Sequence, residues 1–114
     1  MSITLKKTAD RPKRPVNITE WTDDAKAFVK ELTVRERLVF NDCFRKYTDE
    51  SLSDLERSEA ILSAIVMVLV GEDGQPLFKL DDVPELNQCS FEPVTRIILM
   101  VVNPESVDES FVKN

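Results

Sequence analysis

Two short runs near the start of the chain have the residue pattern of β-strands. VNITEW, residues 16–21, alternates imperfectly between apolar and polar positions, and KAFVKEL, residues 26–32, contains Phe-Val, which favours a strand. The Thr-Asp-Asp sequence between the runs supplies short side chains that bond nearby backbone amides in turns. The pattern predicts a small β-hairpin that begins near Val16, with Trp21 close to its turn.

A helical period follows this hairpin. Thr33 and Glu36 have the spacing of a capping box, in which the hydroxyl and the carboxylate each accept a hydrogen bond from a backbone amide at a helix start. We therefore predict a helix over residues 34–47, amphipathic because its apolar residues recur every three or four positions. The predicted buried face is Phe40, Cys43, Phe44 and Tyr47.

A second capping box, Ser53 with Glu56, predicts another helix that stops at Gly71. Ten of the eleven residues from 60 to 70 are apolar, so this helix must be covered on most of its surface. Two interpretations remain open. The segment is the central core helix, or its apolar surface binds a client or a second subunit.

Turns and two further helices complete the pattern. EDGQPLF, residues 72–78, indicates a turn and a short extended stretch. Asp82 and Glu85 predict the cap of a short helix that ends near Gln88. Ser90 predicts the cap of a last helix, with proline in its first turn and Asn-Pro at its end. The predicted buried face of that helix is Phe91, Val94, Ile97, Ile98 and Val101.

The predicted fold is mainly α, with a small N-terminal β-hairpin followed by a compact bundle of about three to four helices. With 114 residues, 42% of them apolar, the chain has the size and composition of one globular domain. We assign residues 16–104 to this domain. Residues 1–15 form a basic N-terminal arm and residues 105–114 an acidic C-terminal tail.

Charge separates the arm from the rest of the chain. The arm carries five basic residues and one aspartate, a net charge of +4, whereas the whole chain carries −6. An acidic body repels nucleic acid, and the arm has no interleaved aromatic residue for base stacking. The composition therefore argues against a nucleic-acid partner. The arm is either a solvated terminus or attracted to the acidic body.

Cysteine and hydropathy patterns exclude further classes. Cys43 and Cys89 are isolated, and the chain has no histidine, so neither a disulfide framework nor the common zinc sites are expected. These features favour a reducing cytoplasm. The longest apolar run, residues 64–70, is far shorter than the roughly 20 residues that span a bilayer. We expect no membrane partner.

The acidic pairs of the chain are better explained by turn or cap chemistry than by catalysis. A calcium loop centred on Gly74 would place Leu69 and Gly71 where oxygen ligands are required. The chain also lacks a glycine-rich phosphate loop and a nucleophile elbow. We expect no enzyme, no catalytic residues, no cofactor and no metal site. The pairs are Asp23 with Asp24, Glu72 with Asp73, and Asp81 with Asp82.

Three motifs in a fixed order resemble the tail assembly chaperones of long-tailed bacteriophages. In that family a tryptophan leads into a strand and a Leu-Thr-x-x-Glu-Arg helix start, and Asp-Gly-x-Pro-Leu-Phe later precedes an Asp-Val-x-x-Leu helix. The resemblance covers about residues 16–103, and Thr-Asp-Asp after the tryptophan replaces the glycines of the family. The matching positions, structural or interacting, are Trp21, Leu32, Thr33, Glu36, Arg37, Asp73, Gly74, Pro76, Leu77, Phe78, Asp82, Val83 and Leu86.

The resemblance implies an assembly factor without catalytic activity in the cytoplasm of an infected bacterium. Such chaperones bind and solubilise the tape measure protein, help to recruit tail tube subunits, and are absent from the mature virion. A homo-oligomer also stays open, because a second subunit could cover the apolar helix that stops at Gly71. Two other classes remain: a minor structural tail protein, and a small phage regulatory protein that uses its basic arm.

Trp21 has two interpretations within this resemblance. It is a core anchor that closes the hairpin on the helices, or an exposed aromatic residue at the rim of a partner interface.

Overall fold

The elements of the chain follow the predicted order of a hairpin and then helices. The computed structural model describes residues 3–8 and 11–103. A turn of 3-10 helix, Leu80–Asp82, precedes the third helix. Within the described ranges the strands and α-helices are β1 (Arg14–Val16), β2 (Ala27–Val29), α1 (Val34–Tyr47), α2 (Asp54–Val68), β3 (Leu69–Val70), α3 (Val83–Leu86) and α4 (Glu92–Val102).

These elements confirm the predicted fold class, a mainly helical protein with a small sheet near its N-terminus. The division into an arm, a domain and a tail stays a prediction. The acidic tail, residues 105–114, lies outside the described residues, as do residues 1, 2, 9 and 10 of the arm.

The predicted hairpin exists, but its first strand lies earlier than expected. β1 pairs antiparallel with β2, with Arg14 opposite Val29 and Val16 opposite Ala27. Beyond Val16 the chain turns, because the Ile18 carbonyl oxygen accepts hydrogen bonds from the amides of Trp21, at 2.8 Å, and Thr22, at 3.1 Å. The imperfect alternation of residues 16–21 therefore does not form a strand.

A third strand comes directly after α2 and was not predicted. The helix expected to reach Gly71 ends at Val68, and Leu69–Val70 pairs with β2 on the side opposite β1. The Lys30 amide also donates to the Val68 carbonyl oxygen at 3.1 Å. β-branched residues suit both a buried helix and a strand, so the pattern alone could not place this boundary.

Both predicted capping boxes are present, and α1 has the predicted bounds. The Glu36 amide donates to Thr33 Oγ1 at 3.0 Å and the Thr33 amide to Glu36 Oε1 at 3.0 Å. Ser53 and Glu56 make the equivalent pair of bonds at the start of α2. Of the predicted α1 face, Phe40 is buried, and the other three residues are half-buried against the core.

The starts of α3 and α4 differ from the predicted caps. Asp82 occupies the predicted cap position of α3, but its side chain makes no capping bond; its Oδ2 instead accepts from the Lys79 amide at 2.8 Å, closing the 3-10 turn. Ser90 Oγ accepts from the Glu92 amide at 3.4 Å, while Phe91 occupies the cap position of α4. Phe91, predicted to be buried, is exposed because it precedes the first turn of the helix instead of lying on its inner side.

α2 lies at the centre of the core. The buried side chains in the C-terminal half of α2 are each at most 7% exposed. They pack between α1, α3 and α4. The interpretation of this segment as the central core helix is therefore confirmed. These positions are Ile61, Leu62, Ala64, Ile65, Val66 and Val68.

The C-terminus of α4 is capped by two arginines from distant parts of the chain. The last turn of α4 has no basic residue, although its carbonyl oxygens carry partial negative charge without helical partners. Arg14 Nη2 donates to the Met100 carbonyl oxygen at 2.7 Å, and Arg37 Nη2 donates to that of Val101 at 3.0 Å. The hairpin and α1 thus both hold α4 at its end.

Replacing Arg37 with methionine should destabilise the protein by about 1–2 kcal/mol, because a charge-assisted bond to the end of α4 is lost. The free energy of unfolding in urea measures this loss. Arg35→Met is the matched control on the same helix, since Arg35 is exposed in its first turn. Equal losses in the two variants would contradict the capping role.

Candidate functional site

Trp21 connects the first hairpin to the α3–α4 region. Its Nε1 donates to the Ser90 carbonyl oxygen at 2.7 Å, and its ring meets Phe78 edge to face, with centroids 6.0 Å apart. The side chain is half-buried against the core. These contacts favour the core-anchor interpretation, because an aromatic residue held at its polar end and its ring edge is fixed in place.

An ion pair beside Trp21 fixes the same loop to α4. Arg96 Nη1 donates to Glu20 Oε1 at 2.6 Å and to the Asn17 carbonyl oxygen at 2.9 Å. The hydrogen bond from Arg96 is the main cause that lowers the pKa of Glu20 to about 2. The loop between β1 and β2 is therefore attached to α4 through Glu20 and to the segment just before α4 through Trp21.

The remaining residues of the first motif start α1. Leu32 packs half-buried against the core, and Thr33 with Glu36 forms the capping box. Lys30 Nζ also binds Glu36 Oε2 at 2.7 Å. Partial burial alone would raise the pKa of Glu36, but the hydrogen bonds from Lys30 and Thr33 outweigh it and lower that pKa. Arg37, as described above, caps α4.

The second motif forms a tight turn after β3. Asp73 Oδ1 accepts from the Gln75 amide at 3.0 Å, and Gly74 adopts a φ of +82°, which residues with a side chain rarely do. Pro76 then forms an antiparallel bridge with Val70. The turn therefore reverses the chain directly at the end of β3.

The end of the second motif and the third motif continue the core. Leu77 and Phe78 are half-buried against it, while Val83 and Leu86 of α3 are buried. Asp82 closes the 3-10 turn ahead of them. The structure brings Trp21 and Phe78 of the first two motifs together. The other motif positions make local turns, caps and packing contacts, so the motifs describe the fold more than an exposed surface.

An exposed apolar surface lies on the outer side of α4. Phe91 is 51% exposed, Leu99 50% and Val102 44%, and Ile98 is half-buried between them. Residues at these spacings share one side of a helix, over about 16 Å at a rise of 1.5 Å per residue. We call these four residues the outer α4 face.

An apolar groove adjoins the outer α4 face at Phe91. It lies between the first half of α2 and the α3–α4 connection and has a volume of about 340 Å³. Its apolar lining contains Ile61, Leu62, Leu86 and Val94. Because Phe91 belongs to both, the groove and the outer α4 face form one surface.

Sequence reasoning missed this surface and looked for a client-binding helix in α2. Residues 93–102, PVTRIILMVV, contain only two polar residues. The remaining positions are apolar, and they are more than one buried face of a helix can use. That excess was the available signal. The buried face of α4 comprises Pro93, Val94, Ile97, Met100 and Val101, which leaves the outer face to solvent.

Among the described residues, no group of three or more cysteine and acidic side chains could hold a metal ion. No helix there is long and apolar enough to cross a membrane. Partial burial raises the pKa of the Cys43 thiol, and Cys89 is exposed.

Comparisons with known proteins give one structural match. No family model and no curated protein matches the chain. The structure is similar to that of the bacteriophage HK97 tail assembly chaperone, with a TM-score of 0.47 and 20% sequence identity. The match covers 74% of this chain and 76% of that one.

Replacing Glu20 with glutamine should reduce stability at neutral pH and flatten its acid dependence. Because the folded-state pKa of Glu20 is lowered to about 2, its ionised form stabilises the fold above the ordinary pKa of 4.5, and that contribution is lost as pH falls toward 2. The gap in urea midpoint between the protein and the variant should therefore narrow over this range. Glu72→Gln, at an exposed turn position, should leave the pH profile unchanged.

Substitutions at Gly74 should separate backbone strain from crowding. An added Cβ at Gly74 would meet no atom within 4 Å, so Gly74→Ala should cost only the positive-φ strain, about 1–2 kcal/mol. Gly74→Asn should lose less stability than Gly74→Ala, because asparagine tolerates a positive φ better than alanine does. Urea unfolding of the two variants checks the order, and an equal loss in both would contradict the assignment to strain.

Proposed function

We propose that this protein is a tail assembly chaperone of a long-tailed bacteriophage and that it binds and solubilises the tape measure protein. The observation that carries the proposal is the outer α4 face, an exposed apolar strip on a small acidic protein. Its support is the ordered set of three motifs, which resembles this family over most of the chain.

The outer α4 face and its groove suit an apolar helical segment of the client. A client helix lying along α4 would cover Phe91, Ile98, Leu99 and Val102 with residues spaced at i, i+3, i+4 and i+7. The groove beside Phe91 would receive one bulky apolar side chain, the usual arrangement of an anchor at an interface. The exposed apolar surface of the client promotes aggregation, and binding would remove that surface from water.

The charge of the protein supports the solubilising part of the proposal. A net charge of −6 on 114 residues makes copies repel one another and keeps a coated client dispersed. The outer α4 face is interrupted by Thr95 and Arg96, and the charge of Arg96 is neutralised by Glu20. The apolar contact is therefore separated from the charged surface that faces solvent.

We further propose that the protein acts in the cytoplasm of the host bacterium, without catalytic activity, and does not remain in the mature virion. It helps to recruit tail tube subunits to the coated client, alone or as a homo-oligomer. Most motif residues make fold contacts, so we assign client contact to the outer α4 face and not to the motifs.

Co-expression with the tape measure protein of the same phage tests the proposal. The client should be soluble only with this protein, and size-exclusion chromatography with light scattering should show several copies per client. The double variant Phe91→Gln, Leu99→Gln should lose most of the soluble client, because the apolar strip is interrupted at its start and its middle.

The matched control for this experiment is Leu55→Gln, Leu80→Gln. Both leucines are more than 60% exposed and lie outside the outer α4 face. This control should retain the soluble client, while both double variants keep the urea midpoint of the parent protein. Client solubility that is independent of the protein, or is lost equally in both variants, would overturn the proposal.

A further inference from the structure

A second groove is lined by several basic side chains, which the outer α4 face is not. It lies where the arm, β2 and the start of α1 meet the C-terminus of α4, and has a volume of about 570 Å³. We call it the cationic groove. Its basic lining residues are Arg11, Arg14, Lys30 and Arg37.

Among the described residues, two of these four cations have carboxylate partners. Arg11 Nε lies 2.8 Å from Glu31 Oε1, and Lys30 Nζ lies 2.7 Å from Glu36 Oε2. Arg14 and Arg37 instead bond to main-chain carbonyl oxygens of α4, which are formally neutral. Since a guanidinium group has five N–H donors, each of these two arginines retains charge and donors for an acidic group.

The rest of the groove suits a polypeptide better than a nucleic acid. Its described lining has no aromatic residue on which a base could stack. Apolar residues line the groove together with the cations, which suits a chain that carries both acidic and aliphatic residues. The apolar lining residues are Pro12, Val29, Leu32, Met100 and Val101.

The sequence after α4 has this chemistry and begins beside the groove. The described chain ends at Asn103, two residues after Val101, whose carbonyl oxygen binds Arg37. Residues 105–109 read Glu-Ser-Val-Asp-Glu, three carboxylates around one valine. An extended chain covers at most about 3.3–3.6 Å per residue, so these residues can reach from about 7 to 21 Å beyond Asn103.

We propose that residues 105–109 of this chain bind in the cationic groove of the same molecule. The carboxylates of Glu105, Asp108 and Glu109 complement the charge of Arg14 and Arg37, and Val107 matches the apolar lining residues in chemical character. The groove then holds the segment that follows α4, and it does so whether or not the client binds the outer α4 face.

Paramagnetic relaxation measured by NMR tests this contact in the whole chain. A nitroxide attached at Ser110→Cys, with Cys43→Ala and Cys89→Ser, should broaden the amide signals of Lys30, Leu32 and Arg37. The amides of the α1–α2 turn, at residues 49–51, serve as the distant reference. The broadening should be strong near 0.01 M salt, where the Debye length is about 30 Å, and should fall near 1 M, where it is about 3 Å, to the weaker level that the tether alone produces.

Charge-matched variants make the test specific. Glu105→Gln, Asp108→Asn, Glu109→Gln should reduce the broadening in the groove at low salt to the level seen near 1 M salt. Glu50→Gln, Glu59→Gln, Glu72→Gln changes the net charge equally at exposed positions elsewhere and should preserve it. Broadening at low salt that is unchanged in the first variant, or is reduced equally in both, overturns the proposal.

Mixed samples identify the source of the bound segment. Nitroxide-labelled protein without ¹⁵N is combined with unlabelled ¹⁵N protein, so only contacts between molecules are detected. The proposal predicts no broadening in this mixture. Broadening there that equals the single-sample effect would assign the groove to a second copy and overturn the intramolecular contact. The client is absent throughout, so the result is independent of the proposed chaperone function.

Discussion

The apolar surface of α2 is the constraint on which the rest of the structure depends. Its C-terminal half has no polar side chain apart from Ser63, and that hydroxyl donates to the Glu59 carbonyl oxygen of the same helix. Such a helix is stable in water only if other elements cover every side of it. α1, α3 and α4 provide this cover, and β3 carries the chain from α2 directly into the sheet. The short strands therefore depend on the helices for their stability, because strands of this length are too short to be stable alone.

α4 covers α2 but remains uncovered on its other side. Its inner face completes the core, its end is capped by Arg14 and Arg37, and its start is held through Trp21 and Arg96. These contacts fix the helix without covering the outer α4 face. An apolar strip on a rigid helix is a pre-formed surface for a partner, because little conformational entropy is lost when it binds. This arrangement connects the stability of the fold with the proposed chaperone function.

The motifs and the candidate site occupy different parts of the molecule. Trp21, Gly74 and Phe78 make contacts that serve the fold: an anchor, a positive-φ turn and a packed ring. The motifs could therefore indicate a family from sequence while giving no information on where a client binds. The outer α4 face was not found because Phe91 was assigned to the buried side, and the position of a residue ahead of a helix depends on where that helix begins.

The sequence by itself determined the features that depend on neighbours along the chain. The bounds of α1, both capping boxes, the Asp-Gly turn and the mainly helical class follow from side chains within a few residues of one another. Only the tertiary structure decided that Leu69–Val70 is a strand, that arginines from β1 and α1 cap α4, and which side of α4 is exposed. Each of these depends on contacts between residues that are far apart in the chain. Local patterns carry no record of such contacts, because the same apolar residues satisfy a helix, a strand or an interface.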